Sequence, residues 1–539
     1  MKSKYLLPWL ALCASFAAPL LVACSEDDPP AQVEPAEAIV IAPEQAAQSV
    51  ADNTTLVTVV FSATAAWTAT LDGGDGWVSA DVLRGDAGDV VMTLRLKANA
   101  TSQARVATIS IVAGAATQTV SITQAARVDY ADGGREDIML QGFYWDSQKV
   151  TGWTQLMNYA DDIAASFSCV WLPPSASAEG GNAVGGNNVG YHPRVWNDQN
   201  SCWGTAENLK RLIAALHDGG VKVVADIVVN HRAGYTGWGN FPADDFGEYG
   251  SFQLDVSHIC ADDEMNDPAQ CADATWLGTA SGAADTGENW GGARDLDHTS
   301  AVVRQDIEAY LNWLRGEFGY DGWRYDFCKG YDGQYVATYN DATSPYISVG
   351  ELWDGSYDVV NAWLKAAGYK SMAFDFPSKY DALNNGLAKR NFSKMTWLNQ
   401  DDKVNRPAGL IHHSATDSCA VTFVDNHDTY RDGSKYTGDV NHAYAFILSS
   451  PGVPCVFWPH WQDKLYKRNI EAMIAARKSV GLTNISDVRV TQSATYYEAV
   501  ATGRRGSLVC RIGAKAPSAA PDGYELACNG SGWAFFVKK

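Results

Sequence analysis

The sequence predicts an α/β protein built around a (β/α)8 barrel, with a domain inserted in the barrel, an N-terminal immunoglobulin-like β-sandwich and a C-terminal antiparallel β-domain. From residue 137 onward, strand-like and helix-like segments alternate, which is typical of a parallel sheet. Eight candidate strands complete a closed barrel: 138–144, 168–172, 221–229, 322–327, 346–350, 373–376, 420–424 and 453–457. Before residue 127 and after residue 480, short strands alternate with turn residues instead.

The first 36 residues are predicted to be a targeting segment and a tether. Residues 1–23 begin with Lys2 and Lys4 and continue as an apolar run, which favours a cleaved signal peptide over a membrane span. The end of this run, with Cys24 as the first mature residue, resembles a bacterial lipoprotein signal. The acidic residues 26–28 resemble the surface-export signal of some Gram-negative lipoproteins. These resemblances imply an outer-membrane protein at the cell surface, anchored only by lipid on Cys24, with residues 24–36 as a flexible tether.

Charge and cysteine content limit the possible partners and crosslinks. The formal net charge of −21 argues against nucleic acid as a binding partner, because the sequence carries no basic footprint. We also expect the protein to be a monomer. Among the 11 cysteines, two pairs close in sequence are disulfide candidates, Cys260 with Cys271 and Cys510 with Cys528. Most of the remaining mature cysteines lie in apolar runs and are expected to be buried thiols.

Residues 37–127 are predicted to form the β-sandwich, because alternating strands are separated by Gly and Asn/Asp turns. The segment resembles a BACON domain in the start at Trp67, the pair Trp77-Val78, the turn from Asn99 to Arg105 and the close at residues 122–124. Such domains are common at the front of surface glycan enzymes. The resemblance leaves open whether this one binds sugar or serves as a spacer.

Polar side chains follow several strands of the predicted barrel, which spans residues 135–480. Asp326 ends the fourth strand, and Arg324 points to the same face because strand side chains alternate. A guanidinium beside a carboxylate favours its ionised form. Three other strand ends carry Asn230-His231, Glu351 and the run 425–428. Because the carboxyl ends of barrel strands form one rim, these residues predict a catalytic site there.

These four segments resemble the four signature regions of the α-amylase family, glycoside hydrolase family 13. The resemblance covers roughly residues 137–539 and is closest to the plant-type branch, which the segments 142–145, 190–191, 295–298 and 327–330 also resemble. It implies that Asp326 is the nucleophile, Glu351 the general acid/base and Asp428 the transition-state stabiliser. The implied substrate contacts are Arg324, His231, His427, Tyr191, which would stack on the sugar, and Lys329 on the leaving-group side.

The implied reaction is retaining endo-hydrolysis of α-1,4-glucosidic bonds in starch and related α-glucan oligosaccharides. Cleavage through a cation-like sugar needs one carboxyl to protonate the leaving oxygen and another to attack the anomeric carbon. Adjacent fourth and fifth strands can supply Asp326 and Glu351 at the close separation of about 5 Å that retention requires. Glu351 must keep its proton near neutral pH, which a desolvated pocket and a neighbouring anion would favour.

The irregular segment 232–294 is predicted to be domain B of this family, one wall of the substrate cleft. Asp226, before it, is expected to support the rim. The resemblance also implies a structural Ca²⁺ at the junction of barrel and insertion, since calcium prefers oxygen ligands. Its ligands would be the side chains of Asn230, Asp285 and Asp295 and the backbone carbonyls of Glu288 and Gly330.

Residues 481–539 are predicted to form the C-terminal β-domain, with strands at 488–490, 496–500, 508–512 and 534–537 and without chemistry of its own. Alternative functions remain at this stage. A metal-dependent hydrolase using His231, Glu351 and His427 would need a His-x-His pair on the first strand, where Gln141 stands instead. A non-catalytic starch-binding protein would usually lack a catalytic carboxylate. Another specificity within the family, a cyclodextrin or pullulan hydrolase or a transglycosylase, is the nearest competitor.

Overall fold

The computed structural model describes residues 39–50, 54, 56–74, 76–97, 99, 101, 103–125, 134–180, 189–234, 239–263, 279–431 and 433–539. The predicted signal peptide, the tether and Cys24 lie outside the described residues. Within the described part of the chain, no helix is long and apolar enough to cross a membrane.

Eight parallel strands close into a barrel in their sequence order, which confirms the predicted fold class. The strands are Met139–Gln141, Cys169–Leu172, Lys222–Ile227, Gly322–Tyr325, Ser348–Gly350, Met372–Phe374, Ala420–Phe423 and Val453–Phe457. Every residue in them except Lys222 is buried, as expected for a sheet that is covered on both faces. Each predicted strand overlaps one of these, usually with a longer predicted end.

Helices surround the barrel strands, and several begin at a side-chain cap. The Asp332 carboxylate accepts from Gln334 N at 2.9 Å, and Asp463 caps the last long helix in the same way, each cap being worth about 1 kcal/mol. The longer helices are Ala160–Ser166, Ala206–Asp218, Ala301–Trp313, Gly333–Thr343, Tyr357–Ala366, Val440–Ser449 and Lys464–Val480. Wider π-helical turns cover Leu314–Phe318 and Ser378–Leu387, and shorter helices cover Trp153–Met157 and Trp458–Gln462.

The N-terminal unit is a sandwich of two sheets, as predicted. The strands of one sheet are, in spatial order, Ile39–Ile41, Leu56–Ala63, Gly88–Leu96 and Val78–Ala80. Those of the other sheet are Ala47–Val50, Ala116–Gln124, Arg105–Ala113, Trp67–Asp72 and Arg84–Gly85. Its core holds an edge-to-face pair, Phe61 and Trp67, with ring centroids 5.0 Å apart. Such packing of two inner sheet faces is typical of immunoglobulin-like folds.

The inserted segment leaves and rejoins the barrel through one antiparallel pair, His231–Arg232 with Arg294–Asp295. A second pair, Asp244–Asp245 with Ser251–Phe252, lies within it. Arg232 forms a fully buried ion pair with Asp244, which links the neck of the insertion to this second pair. Residues 235–238 and 264–278 of the insertion, including Cys271, lie outside the described part.

The C-terminal domain is a five-stranded antiparallel sheet ordered Val488–Gln492, Tyr497–Thr502, Ser507–Ile512, Trp533–Lys538 and Glu525–Gly530. The predicted Cys510–Cys528 disulfide is wrong. Both residues pair with Phe535, from opposite sides of its strand, and both are free thiols. Two strand spacings separate them by roughly 10 Å, beyond the Cα separation that a disulfide spans.

Candidate active site

Arg324 lies at the centre of the site, on the fourth barrel strand. Its Nη1 donates to Asp326 Oδ1 at 2.6 Å and to Asp226 Oδ1 at 2.7 Å, and its Nη2 lies 2.6 Å from Glu351 Oε1. The guanidinium is fully buried, and it keeps its charge at any ordinary pH. One cation therefore fixes the relative positions of three carboxyl groups that come from three adjacent strands.

Asp326 and Glu351 each stand one residue beyond the end of a strand. Asp326 N donates to Ile227 O at 2.9 Å, and Glu351 N donates to Tyr325 O at 3.0 Å. The ladder of the barrel thus extends to both residues and holds their backbones against the neighbouring strands. These backbone contacts limit the positions that the two side chains can take at the carboxyl end of the barrel.

The surroundings of Glu351 favour its protonated form. Burial raises the pKa of Glu351 well above its usual value, the charges of Asp326 and Asp428 raise it further, and Arg324 opposes the rise. Phe327 N donates to Glu351 Oε2 at 3.2 Å. A carboxyl group whose pKa is raised in this way can act as a proton donor near neutral pH.

Asp428 lies on the loop that follows the seventh strand. Its Oδ1 accepts a hydrogen bond from Trp145 Nε1 at 3.1 Å, and its Oδ2 lies 3.1 Å from His427 Nε2. Burial raises the pKa of Asp428 to about 6, Arg324 opposes this, and the charge of Asp326 adds to it. The side chain is 28% exposed, so it is open to a ligand in the cleft.

The hydrogen bonds of His427 define its tautomer. Gln141 Nε2, on the first strand, lies 3.0 Å from His427 Nδ1. Because an amide nitrogen only donates, Nδ1 accepts and Nε2 carries the proton. Burial lowers the pKa of His427 well below its usual value, so the ring is neutral. It stacks on Tyr191, with centroids 5.2 Å apart and planes 11° from parallel.

His231 and Tyr191 are brought together, but the histidine nitrogens face the protein. His231 Nε2 lies 2.9 Å from Tyr191 O, and Nδ1 lies 3.3 Å from Asn230 Nδ2. Trp290, from the insertion, stacks on the His231 ring at 3.9 Å. The Tyr191 hydroxyl donates to Asp226 Oδ2 at 2.7 Å. Asp226 thus supports the rim as expected, and His231 positions Tyr191 in this structure.

Lys329 lies on the loop after the fourth strand, between two carboxylates. Its Nζ is 3.2 Å from Glu288 Oε1 in the insertion and 3.7 Å from Asp354 Oδ2 after the fifth strand. In the same loop, Cys328 N donates to Glu351 O at 3.1 Å. Lys329 therefore stands on the Glu351 side of the site, away from Asp428.

The residues predicted to hold calcium converge at the neck of the insertion. Asn230 Nδ2 donates to Asp295 Oδ1 at 2.8 Å, while Asn230 Oδ1 and Asp285 Oδ2 are buried without a hydrogen-bond partner. A Cβ on Gly330 would stand 1.8 Å from Asn230 Oδ1, so this backbone and the amide oxygen are in close contact. Glu288 N donates to Lys329 O at 2.8 Å.

Two unpartnered buried oxygens in an acidic pocket are the donors that a hard cation prefers, so the residues present fit the ion. Burial raises the pKa of Asp285, and the charges of Asp262 and Asp263 add to the rise. Among the described residues, no group of three or more His, Cys, Asp or Glu side chains is arranged for a metal. The predicted calcium ligands are not such a group, because they include only two carboxylates. The other ligands are one side-chain amide oxygen and two backbone carbonyls.

Trp145 and Arg431 are site residues that sequence reasoning did not assign. Trp145 lies in the segment 142–145, which resembles the plant-type branch. Its position as an aromatic residue just beyond the first strand could have indicated that it belongs to the site. Arg431 follows Asp428 by three residues in an irregular loop, where no periodicity indicates the direction of a side chain. Its guanidinium lies 4.2 Å from the centroid of the Trp145 ring.

Comparison with known proteins gives two family matches. The α-amylase catalytic domain matches residues 146–460, and a family described as a viral BACON domain matches residues 33–127. Probable α-amylase 2 of Arabidopsis thaliana is 31% identical over 75% of this chain and 94% of its own length. The chloroplastic α-amylase 3 of the same plant is 32% identical over 68% of this chain, which spans only 40% of that protein.

Solved structures share the fold at low sequence identity. An α-amylase from Geobacillus thermoleovorans, complexed with acarbose, superposes with a TM-score of 0.51 at 14% identity, covering 75% of this chain and 99% of that one. A maltogenic amylase from S. marinus gives a TM-score of 0.53 at 11% identity over 93% of this chain and 82% of that one. At such identities the likeness supports the fold.

Proposed function

Since this chain belongs to the α-amylase family of glycoside hydrolases, we propose that it cleaves internal α-1,4-glucosidic bonds of starch and related α-glucans with retention of anomeric configuration. The observation that carries the proposal is the single guanidinium of Arg324, which contacts both Asp326 and Glu351. Retention needs two carboxyl groups about 5–5.5 Å apart, whereas inversion needs about 6.5–9.5 Å to admit a water molecule. Two carboxyl groups on adjacent nitrogens of one guanidinium favour the first arrangement.

In the first step, Asp326 attacks the anomeric carbon while Glu351 gives its proton to the leaving oxygen. The C–O bond to the leaving sugar breaks, and a bond from Asp326 to the anomeric carbon forms. Glu351, now ionised, then takes a proton from water, which attacks the same carbon and releases Asp326. The burial of Glu351 suits the first role, and the charge of Arg324 beside it suits the second.

The other polar residues stabilise the sugar while it is positively charged. Asp428 places a negative charge beside the cleft, and the preorganised hydrogen bond from Trp145 holds it in place. His427 Nε2 is buried 3.1 Å from Asp428 Oδ2, so His427 would act on the sugar by positioning Asp428 and Tyr191, and the ring of Tyr191 would stack on the sugar. Lys329 contacts the leaving-group side.

The arrangement is less compatible with the other functions considered. A metal-dependent hydrolase would need a cation beside Glu351, where the guanidinium of Arg324 already lies 2.6 Å away and would repel it. A non-catalytic binding protein needs no carboxyl pair. The same three carboxyl groups would serve cleavage of other α-glucans, so another α-glucan specificity is the second candidate.

We also propose that a Ca²⁺ ion binds at the neck of the insertion. Asn230, Asp285 and Asp295, with the carbonyls of Glu288 and Gly330, would hold it, and its charge would supply electrostatic stabilisation of this junction. Gly330 follows Asp326 by four residues, so the ion would tie the insertion to the loop next to the nucleophile.

The location is a further part of the proposal. The lipoprotein-like signal with Cys24 would place the mature protein on the outer membrane, facing outward. Polymeric starch is too large to enter a cell, so an exposed hydrolase would meet it there. The N-terminal sandwich would then stand between the anchor and the barrel.

Chromatography of the products from amylose, pullulan and cyclodextrin tests the proposed specificity. An endo-acting α-amylase should convert amylose to a mixture of oligosaccharides early in the reaction. Faster cleavage of pullulan or cyclodextrin than of amylose would favour the second candidate, and no cleavage of any of them would contradict the proposal.

A further inference from the structure

Arg431 is a cation whose charge acts on Asp428 and which the proposed mechanism does not use. We propose that Arg431 is a positioning residue for Asp428 and acts through the indole of Trp145. The inference rests on the proposed function, in which Asp428 stabilises the sugar cation. It assigns a role to the loop after the seventh barrel strand, beyond the signature segment that ends at Asp428.

The three side chains form a continuous chain of contacts. Trp145 Nε1 donates to Asp428 Oδ1 at 3.1 Å. The guanidinium of Arg431 lies 4.2 Å from the centroid of the Trp145 ring, within the range of a cation–π contact. Arg431 N also donates to Asp428 O at 2.9 Å, so the turn of the loop fixes the arginine relative to the carboxylate.

The indole needs a support on this side. Tyr191 and His427 pack near the Trp145 ring, at centroid distances of 5.4 and 5.5 Å and tilted by more than 40°. The ring is only partly buried, although it packs against the core, so contacts on its remaining surface help to fix its orientation. A planar guanidinium laid on the ring restricts its rotation, and the direction of the N–H bond toward Asp428 depends on that rotation.

Charge gives Arg431 a second route to the same carboxylate. The positive charge of Arg431 lowers the pKa of Asp428, against the effect of burial. The charged and titratable groups around Asp428 are Arg324 and Asp326 from the fourth strand, Glu351 from the fifth, Tyr191 after the second, and His427 and Arg431 on its own loop. Arg324 is held by three carboxyl groups, so Arg431 is the cation that a substitution can remove without breaking the catalytic cluster.

The test measures kcat, KM and the pH profile on soluble amylose for Arg431→Met, Arg431→Lys and Trp145→Phe. We expect Arg431→Met to lower kcat about tenfold with little change in KM, because ordering of a charge stabiliser matters most in the transition state. The acid limb of the pH–rate profile of Arg431→Met should move to higher pH, because the charge of Arg431 lowers the pKa of Asp428. Arg431→Lys keeps the charge and should restore the limb. Trp145→Phe, which removes the donor, should resemble Arg431→Met.

A double-mutant cycle separates action through Trp145 from independent action. The part of the effect that passes through the indole can be lost only once, so Arg431→Met combined with Trp145→Phe should lower kcat by clearly less than the product of the two single losses. Lys435→Met is the matched control, because Lys435 lies 3.5 Å over the ring of Tyr430 in the same loop and does not contact Asp428. It should leave kcat and the pH profile unchanged.

Different outcomes contradict different claims. If Arg431→Met keeps the wild-type kcat and pH profile while Asp428→Asn is inactive, only this inference is overturned. The same holds if the kcat of the double variant falls by the full product of the two single losses. A wild-type protein without glucan hydrolysis, or an Asp428→Asn variant at the full rate, would overturn the proposed function and this inference with it. If Arg431→Met fails to fold, Arg431→Gln is measured instead: a lower kcat with the acid limb of the pH profile moved to higher pH supports the inference, and a wild-type rate and profile overturn it.

Discussion

At the scale of single residues, one buried arginine, Arg324, holds the two carboxyl groups of the proposed reaction. Arg324 contacts both Asp326 and Glu351 at 2.6 Å, so a chemical difference between the two acids comes from their other surroundings. Asp326 is hydrogen-bonded to the guanidinium within the ladder of the barrel. Glu351 is buried more deeply among like charges, which favours its neutral form.

The first prediction concerns the nucleophile. Asp326→Asn keeps the shape of the side chain and removes its charge, so substrate binding should persist while kcat falls at least about a thousandfold, or about 4 kcal/mol in the barrier. Steady-state kinetics on amylose and equilibrium binding of acarbose check this. Asp332→Asn is the matched control, because Asn caps a helix as well as Asp. A near-normal rate in Asp326→Asn would assign the nucleophile elsewhere.

The second prediction concerns pH. Asp428 must be ionised and Glu351 protonated, so kcat/KM should follow a bell-shaped profile. Because burial raises the pKa of Asp428 to about 6, activity should be lost as the pH falls through roughly 6. Because the pKa of Glu351 is raised well above its usual value, the alkaline limb of the profile should lie at a higher pH than the acid limb. Full activity maintained down to pH 4 would contradict the role of Asp428.

Sequence patterns placed the candidate residues of the rim better than their partners. Asp326 and Glu351 each stand one residue beyond a strand, where the geometry of a barrel determines their direction. Asp428 lies on a loop after the seventh strand and was assigned by the family resemblance. The orientation of His231 toward Tyr191 O was not predictable, because it depends on a loop and on Trp290 from the insertion. Arg431 was missed for the same reason.

At the scale of elements, the insertion and the barrel meet at a neck that is both polar and buried. The strands His231–Arg232 and Arg294–Asp295 pair there, and the unpartnered oxygens of Asn230 and Asp285 lie beside the pair. Buried polar atoms without partners destabilise a junction unless an ion or water satisfies them.

The third prediction is therefore that calcium stabilises this neck. An ion that binds only the folded form raises the melting temperature, so EDTA should lower it and reduce activity, and added calcium should restore both. Asp285→Asn should weaken the response to calcium, whereas Asp401→Asn, on the exposed loop that contacts His413, should not. Unchanged melting and activity after EDTA, with no metal found by elemental analysis, would contradict the site.

The elements themselves were predicted unevenly. All eight barrel strands were found, because apolar runs between helical segments are unambiguous when they recur in order. The strand Glu525–Gly530 was missed, since most of its residues are exposed at a sheet edge. That omission concealed the strand order, and the order excludes a Cys510–Cys528 bridge. Pairing of strands distant in sequence cannot be inferred from local periodicity.

At the scale of the whole molecule, the protein joins a sandwich, a catalytic barrel and a terminal sheet in one chain. The sandwich has its own core, and the proposed catalytic residues all belong to the barrel. The N-terminal unit can therefore be removed without removing a group of the proposed catalytic site, whether that unit binds sugar or serves as a spacer.

The fourth prediction concerns the anchor and this separation. Cys24→Ala should release the protein from membranes, because one lipidated cysteine is its proposed attachment. Deletion of residues 25–126 should leave kcat on soluble starch within about twofold, since no group of the site is removed. Fractionation of Cys24→Ala with membranes would contradict the anchor, and protection from external protease in intact cells would contradict the surface location.

The most direct test of the central claim is the configuration of the first product. If Asp326 forms a covalent intermediate and Glu351 activates the water, two inversions at the anomeric carbon restore its configuration. Proton NMR during the first minutes of amylose hydrolysis should therefore show the α-anomer, before mutarotation. Initial appearance of the β-anomer would contradict the pairing of Asp326 and Glu351 as nucleophile and acid/base.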